Sequence, residues 1–216
     1  MKYSHILFDL DGTITEPFEG ITKAVQYALK KFGIEVEDLN ELRPFIGPPL
    51  FESFRNFYGL TQEESVKAVE YYREYYVPTG IYECSVYPGI EEMLKKLHES
   101  TCKVILATSK PEPMAIRVLE HFGLDKYFDL MCGASLDETR AKKELVVAYA
   151  VESADITDKS KAIMIGDRKF DVEGAAANQI KTIGVTFGHG GREELEKAGA
   201  VLTFDDAFSL CDYLLS

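Results

Sequence analysis

Ile6-Leu7-Phe8-Asp9-Leu10-Asp11-Gly12-Thr13 is the stretch whose reading decides the fold. An apolar run too short for a buried helix passes directly into two carboxylates two residues apart and an Asp-Gly turn. The run reads as a buried strand. An unpaired carboxylate inside a core is very costly, so the two aspartates belong at the strand's end and not within it. In an open parallel sheet, that carboxyl end is where ligands bind. Taken alone, the stretch also fits a surface turn closed by Asp-Gly.

Runs of the same kind recur at Val104-Ile105-Leu106-Ala107, Leu130-Met131-Cys132, Ala162-Ile163-Met164-Ile165 and Thr182-Ile183-Gly184-Val185. Between them, Ile90, Met93, Leu94 and Leu97, and then Ala115, Val118, Leu119 and Phe122, fall at i, i+3, i+4, i+7 and make the apolar stripes of helices. Strand and helix in alternation predict right-handed βαβ crossovers: an α/β fold with a doubly wound, Rossmann-like parallel sheet. The alternation breaks once. Residues 16–86 carry helical periodicity only (Ile21, Val25, Leu29, Phe32), a Pro-rich turn at Ile46-Gly47-Pro48-Pro49 and an aromatic stretch with Tyr71, Tyr72, Tyr75 and Tyr76; Pro88-Gly89 marks the return. The reading is a core from 1–15 and 87–216 with a helical domain, 16–86, inserted into it. The aromatic stripe reads as the core of that insert.

The chain has 216 residues, 24 Lys and Arg against 36 Asp and Glu, and a net charge of −12. A polyanionic partner meets an unfavourable average field, so nucleic acid and anionic membrane are not expected. Cys84, Cys102, Cys132 and Cys211 are far apart, with no Cys-x-x-Cys pair, and read as buried, reduced thiols. No long apolar stretch or signal-like leader is present, which makes the cytoplasm the expected location. His5, His98, His121 and His189 share no ligand spacing and read as structural, and Gly188-His189-Gly190-Gly191 reads as a turn.

Two further strands end in chemically useful residues. Val104 to Ala107 runs into Thr108-Ser109-Lys110, which offers hydroxyls and amides to an oxyanion. Ala162 to Ile165 runs into Gly166-Asp167-Arg168-Lys169-Phe170-Asp171, a second carboxylate pair at the opening of a helix; Arg168 and Lys169 read as surface charges. Lys143 begins the preceding helix, with Lys142 as its neighbour and competitor. Carboxylates gathered from separate strand ends call for a hard divalent cation, and Mg²⁺ suits sparse carboxylate ligation completed by water and phosphate. Together these features describe a phosphoryl-transfer site.

Asp9-Leu10-Asp11-Gly12-Thr13, Thr108, Lys143 and Gly166-Asp167 with Asp171, in that order, resemble the four motifs of the haloacid dehalogenase superfamily of phosphohydrolases along the whole chain. The insert resembles the mobile cap of the subgroup that includes phosphoglycolate phosphatases and 5′-nucleotidases, as do the stretches 135–140 and 191–195. The resemblance implies Mg²⁺-dependent hydrolysis of a small-molecule phosphomonoester. In it Asp9 is the nucleophile that forms an aspartyl-phosphate, and Asp11 is the general acid and base. Asp9, the main-chain carbonyl of Asp11, and Asp167 would hold Mg²⁺, with Asp171 acting through water. Thr108 and Lys143 would stabilise the phosphoryl group, with Ser109 assisting. Similar sequences favour Lys143 over Lys142. Arg43, Arg55, Arg73 and the Ile46–Pro49 loop are candidates for reading the rest of the substrate. A small phosphate ester is the expected partner, and a monomer or homodimer the expected state.

Other readings weigh less. Asp11 and Asp167 argue against a dehalogenase proper. Lys23 and Lys30 read as solvated and not as the Schiff-base lysine of a phosphonate hydrolase. β-Phosphoglucomutase-like transfer to a sugar phosphate is the serious alternative enzyme. A phospho-accepting or regulatory protein without turnover is the alternative from another class.

Overall fold

The structure is a computed structural model that describes residues 1–137 and 139–216; within the 135–140 stretch noted above, Glu138 lies outside the described residues. The chain begins with β1 (His5–Phe8) and the short β2 (Thr15–Glu16). There follow α1 (Phe18–Lys30), a 3₁₀ segment at Leu39–Phe45, α2 (Leu50–Tyr58), α3 (Gln62–Tyr76), a 3₁₀ turn at Gly80–Tyr82 and the short β3 (Ser85–Val86). The remainder alternates: α4 (Ile90–His98), β4 (Lys103–Pro111), α5 (Glu112–His121), β5 (Leu130–Ala134), α6 (Lys143–Ser153), β6 (Ala162–Gly166), α7 (Lys169–Ala177), β7 (Lys181–Val185), α8 (Gly191–Ala198), β8 (Leu202–Phe204) and α9 (Ala207–Leu215). Two compact units result, one of Met1–Glu16 with Val86–Ser216 and the other of Pro17–Ser85.

The first unit is built on a six-stranded sheet in the order β5-β4-β1-β6-β7-β8. Every neighbouring pair is parallel. The chain therefore leaves β1 in one direction towards β4 and β5, then crosses to the other side for β6, β7 and β8. That reversal makes the carboxyl ends of β1, β4 and β6 a topological switch point, where an open α/β sheet has its crevice. Register aligns those ends, because Phe8 pairs with Leu106 of β4 and with Ile165 of β6. Leu7, Ile105 and Met164 from the three central strands pack in one buried cluster with Val146, Val147 and Ala150 of α6 and Ala175 of α7. The stripe Ile90, Met93, Leu94 and Leu97 is the buried face of α4. On α5, Ala115, Val118 and Leu119 are buried, while Phe122 falls just past the helix as its half-buried cap.

The sixth strand, β8, carries no sequence signal of the kind that marked the other five. Its three residues are exposed or half-buried at the sheet's edge, so no apolar run is required of them. Likewise, the ends of the segment read as wholly helical are extended, at β2 and β3. No helix among the described residues is long and apolar enough to cross a membrane.

In the second unit, α1 buries Ile21, Ala24, Val25, Ala28 and Leu29. α3 starts at a capping box in which the Thr61 hydroxyl accepts from the Glu64 N–H and the Glu64 carboxylate accepts from the Thr61 N–H. Tyr72 and Tyr76 are buried and stacked with ring centroids 5.0 Å apart, and Phe45 meets Phe54 edge-on at 5.0 Å. The aromatic residues are thus this unit's core. All four cysteines are free; Cys102, Cys132 and Cys211 are buried, but Cys84 is only half-buried.

Leu7 is fully buried at the centre of the sheet. Leu7→Ala should cost about 2–5 kcal/mol in denaturant unfolding, from lost apolar transfer and the cavity left behind. A cost below about 1 kcal/mol would show that the central strands tolerate repacking.

Candidate active site

The aligned strand ends place the first carboxylate. Asp9 follows β1 directly, and its N–H donates to the Ile165 carbonyl of β6 at 3.0 Å. Lys143 arrives from α6, where Lys143, Val146, Val147 and Ala150 occupy i, i+3, i+4 and i+7 of the buried face. That periodicity separates the two adjacent lysines: Lys142 precedes the helix and is exposed, whereas Lys143 is drawn inward with the apolar stripe. Its ammonium lies 2.7 Å from Asp9 Oδ1 and 2.7 Å from Asp171 Oδ1, and it donates to the Ala107 carbonyl at 3.1 Å. Burial pulls the Lys143 ammonium towards the neutral form, but Asp171 and Asp9 outweigh it and its pKa is raised overall.

Asp9, Asp167 and Asp171 are all buried, and one oxygen from each lies within 4.8 Å of the others. Asp171 is the third residue of α7, and its Oδ2 accepts the Arg168 N–H at 3.0 Å. Asp167 Oδ2 accepts the His189 N–H at 2.7 Å, and its Oδ1 accepts from the Thr13 hydroxyl at 3.5 Å. Burial drives the Asp167 carboxyl well above the usual carboxylate range, with Asp171 and Asp9 adding to the shift against the His189 N–H. Burial likewise pushes Asp171 up to about 6, with Lys143 pulling the other way. Three buried carboxylates facing one ammonium are short of positive charge, and their hard oxygen donors fit a small divalent cation such as Mg²⁺.

Asp11 stands apart from this cluster. Its Oδ1 is 2.7 Å from the Lys110 ammonium, and both side chains are largely buried. Lys110 goes beyond the hydroxyls and amides expected of this strand end; its one signal in the sequence is the i, i+2 spacing from Thr108. β4 shifts register against β5 between Thr108 and Pro111, an irregularity that spans Ser109 and Lys110. Thr108 is buried, and its hydroxyl accepts the Lys110 N–H at 3.2 Å; Ser109 is half-buried.

The first unit therefore brings Asp9, Asp11, Thr108, Lys143, Asp167 and Asp171 to one edge of the sheet. Arg43 and Arg55 are in the second unit, on the 3₁₀ segment and α2, and both are exposed. The Arg43 guanidinium lies over the Phe18 ring at 4.4 Å and that of Arg55 over Phe51 at 5.8 Å. Arg73 is half-buried. Two features read as plain structure bear on the site. His189 supplies the N–H to Asp167, and the glycine turn around it packs on that residue. Arg168 holds Asp171 through its N–H, while its side chain pairs with Glu194 at 2.8 Å.

The two lysines give the first expectation here. Lys143→Ala leaves two buried carboxylates facing each other and should lower the unfolding free energy of the metal-free protein by about 3–5 kcal/mol. Lys142→Ala should change it by no more than about 0.5 kcal/mol. Equal costs in denaturant unfolding would remove Lys143 from the cluster.

The raised carboxyls give the second. Such a group stabilises the fold below its unfolded pKa, about 3.9 for Asp, and that contribution is lost as pH rises through the folded value, about 6 for Asp171. The metal-free cluster is thus most costly at neutral pH, where Mg²⁺ at a hundred times its Kd should restore about 2.7 kcal/mol. In EDTA at neutral pH, Asp167→Asn should be more stable than the parent, by a margin that shrinks towards about pH 4, and it should respond little to Mg²⁺. Equal responses of parent and variant in thermal unfolding would take the cation out of this site.

The family model for haloacid dehalogenase-like hydrolases matches residues 6–185. A 5′-nucleotidase of Pseudomonas aeruginosa is 42% identical over 195 residues, covering 90% of this chain and 88% of that protein. The tyrosine-protein kinase PtkA of Mycobacterium tuberculosis is 35% identical over 198 residues, covering 91% of this chain and 67% of the kinase. The crystal structure of a predicted phosphatase from Clostridium acetobutylicum superimposes with a TM-score of 0.96 at 46% identity, covering 100% of this chain and 99% of that one. A family match across most of the chain, relatives at this level of identity and the gathered aspartates lead to one conclusion: the chain belongs to the haloacid dehalogenase-like hydrolase family.

Proposed function

We propose that this haloacid dehalogenase-like phosphatase hydrolyses nucleoside 5′-monophosphates or similarly small phosphomonoesters through a phosphorylated Asp9. The observation that carries the reading is the sorting of the two motif aspartates into separate ion pairs, Asp9 with Lys143 and Asp11 with Lys110. Asp9 is oriented by its backbone bond to β6 and by Lys143, as a nucleophile must be. A carboxylate oxygen of Asp9 attacks phosphorus as the bond to the leaving oxygen breaks, and Asp11, having first taken up a proton from solvent, gives it to the departing alkoxide. Asp11 then takes a proton from the water that attacks the acyl-phosphate, releasing phosphate and restoring Asp9. Lys143 and the Thr108 hydroxyl would balance the phosphoryl charge. Asp9 and Asp167, with Asp171 beside them, would hold Mg²⁺, which when bound offsets repulsion between the carboxylates and the phosphate. The unit of residues 17–85 would act as a cap that excludes water, with Arg43 and Arg55 reading the leaving group. The four free cysteines support a cytoplasmic setting.

The substrate class rests on the 42% identity to the Pseudomonas aeruginosa 5′-nucleotidase. A second reading, transfer of the same phosphoryl group to an acceptor other than water, draws on the 35% identity to PtkA. Released phosphate measured across nucleoside monophosphates, phosphoglycolate and sugar phosphates, ranked by kcat/KM, separates these. Steady turnover of a nucleotide is the expected result, and phosphate appearing only on an added acceptor would favour the second reading. Asp9→Asn should abolish turnover, a loss of at least about 10⁴-fold. Asp11→Asn should slow both half-reactions by about 10²–10⁴-fold with the fold retained. Multiple turnover by Asp9→Asn would sink the nucleophile assignment, and unchanged single-turnover rates in Asp11→Asn would sink the acid-base one.

A further inference from the structure

The loop after β7 faces a physical conflict. Gly188 and Gly190 press against the site: an added Cβ on Gly188 would lie 2.3 Å from the Gly12 carbonyl oxygen, and one on Gly190 would lie 2.2 Å from that of Asp167. Close approach thus demands glycine, and glycine leaves the loop with the largest conformational entropy to lose on ordering. The N–H this loop directs at Asp167 Oδ2, at 2.7 Å, is nevertheless one of the contacts that set that carboxylate. In Gly188-His189-Gly190-Gly191 the one side chain available to restrain the backbone is His189. Its imidazole is 1% exposed, with Nε2 3.2 Å from Glu16 Oε1. The other oxygen of Glu16 accepts from the Tyr87 hydroxyl at 2.9 Å, and the Tyr87 ring packs on Phe187, at the head of the loop, at 4.9 Å.

We infer that Tyr87, Glu16 and His189 form a positioning relay that holds the glycine loop, and through its N–H the Asp167 carboxylate, in the geometry that binds the cation. The inference rests on the reading of Asp167 as a cation ligand. None of the three is a catalytic residue, since each acts through the loop backbone. Glu16 is the last residue before the chain leaves the first unit, and Tyr87 follows its return at Val86. The relay therefore pins both crossing points to the loop behind Asp167. Outer partners of metal-binding carboxylates and histidines commonly change affinity by about 10- to 100-fold when removed, and a relay acting through one backbone bond belongs near the lower figure.

The test is titration calorimetry of Mg²⁺ into the full chain without substrate, alongside kcat and KM. His189→Ala and Glu16→Ala should each weaken Mg²⁺ binding about tenfold. The double variant should be no weaker than either single, because both break one relay. Glu16→Gln, which keeps an acceptor for Tyr87 and a group for His189, should recover most of the affinity. Tyr87→Phe keeps the ring packing and should weaken binding by less than the alanine variants but by more than about twofold; with Glu16→Gln it carries the test if an alanine variant does not fold. Mg²⁺ affinity within about twofold of the parent in every folded variant, or losses that add in the double variant, would overturn the relay. Asp167→Asn separates the two levels. Loss of Mg²⁺ binding there with none in the relay variants refutes the relay alone, and unchanged binding in Asp167→Asn refutes the cation reading with it.

Discussion

The Lys143 ammonium, set 2.7 Å from both Asp9 and Asp171, is the interaction around which the first unit is organised. A lysine is almost never buried unless paired, and here the pairing joins three elements: the end of β1, the start of α6 and the first turn of α7. Its bond to the Ala107 carbonyl adds β4 as a fourth. The carboxylates gain from the same contact, since without it the strand ends would bring like charges together in a dry place. One cation against three buried carboxylates leaves negative charge uncompensated, an imbalance that a divalent ion would relieve. A chain of net charge −12 could act on an anion once a cation bound here reversed the field at this one place.

The separation of Asp9 from Asp11 is the second constraint. Two carboxylates two residues apart would compete for the same positive charge if they shared an environment. The chain prevents this by turning after β1: Gly12 has φ of 85°, and residues 10–15 close on themselves through backbone bonds from Gly12, Thr13, Ile14 and Thr15. Asp9 stays with the buried cluster, and Asp11 reaches Lys110 within the irregularity in β4.

Much of this was legible in the sequence, for identifiable reasons. Five strands are apolar runs because both faces of a parallel sheet are covered; β8 escaped notice because an edge strand of three part-exposed residues has no such requirement. Asp9 and Asp167 stood out because aspartates directly after buried strands have no place in a core, and Asp171 because it pairs with Asp167 at the opening of a helix. Lys110 and His189 did not, for opposite reasons. Lys110 lay inside a strand end already credited with hydroxyls and amides, and His189 acts on Asp167 through its backbone, which leaves no mark on residue choice beyond the glycines around it.

The sequence by itself determined which strand ends carry charge and that the fold is α/β, and it raised the helical insert and phosphoryl-transfer chemistry as expectations. These follow from local rules of periodicity, turn residues and the cost of burying a charge. Which charges meet was decided only by the tertiary structure. Asp9, Lys143 and Asp171 are far apart in the chain, and strand order, register and the inward face of α6 bring them within one ion-pair distance. The relay from Tyr87 through Glu16 to His189 is of the same kind. Long-range pairings depend on where the backbone returns, and no local pattern of side chains encodes that.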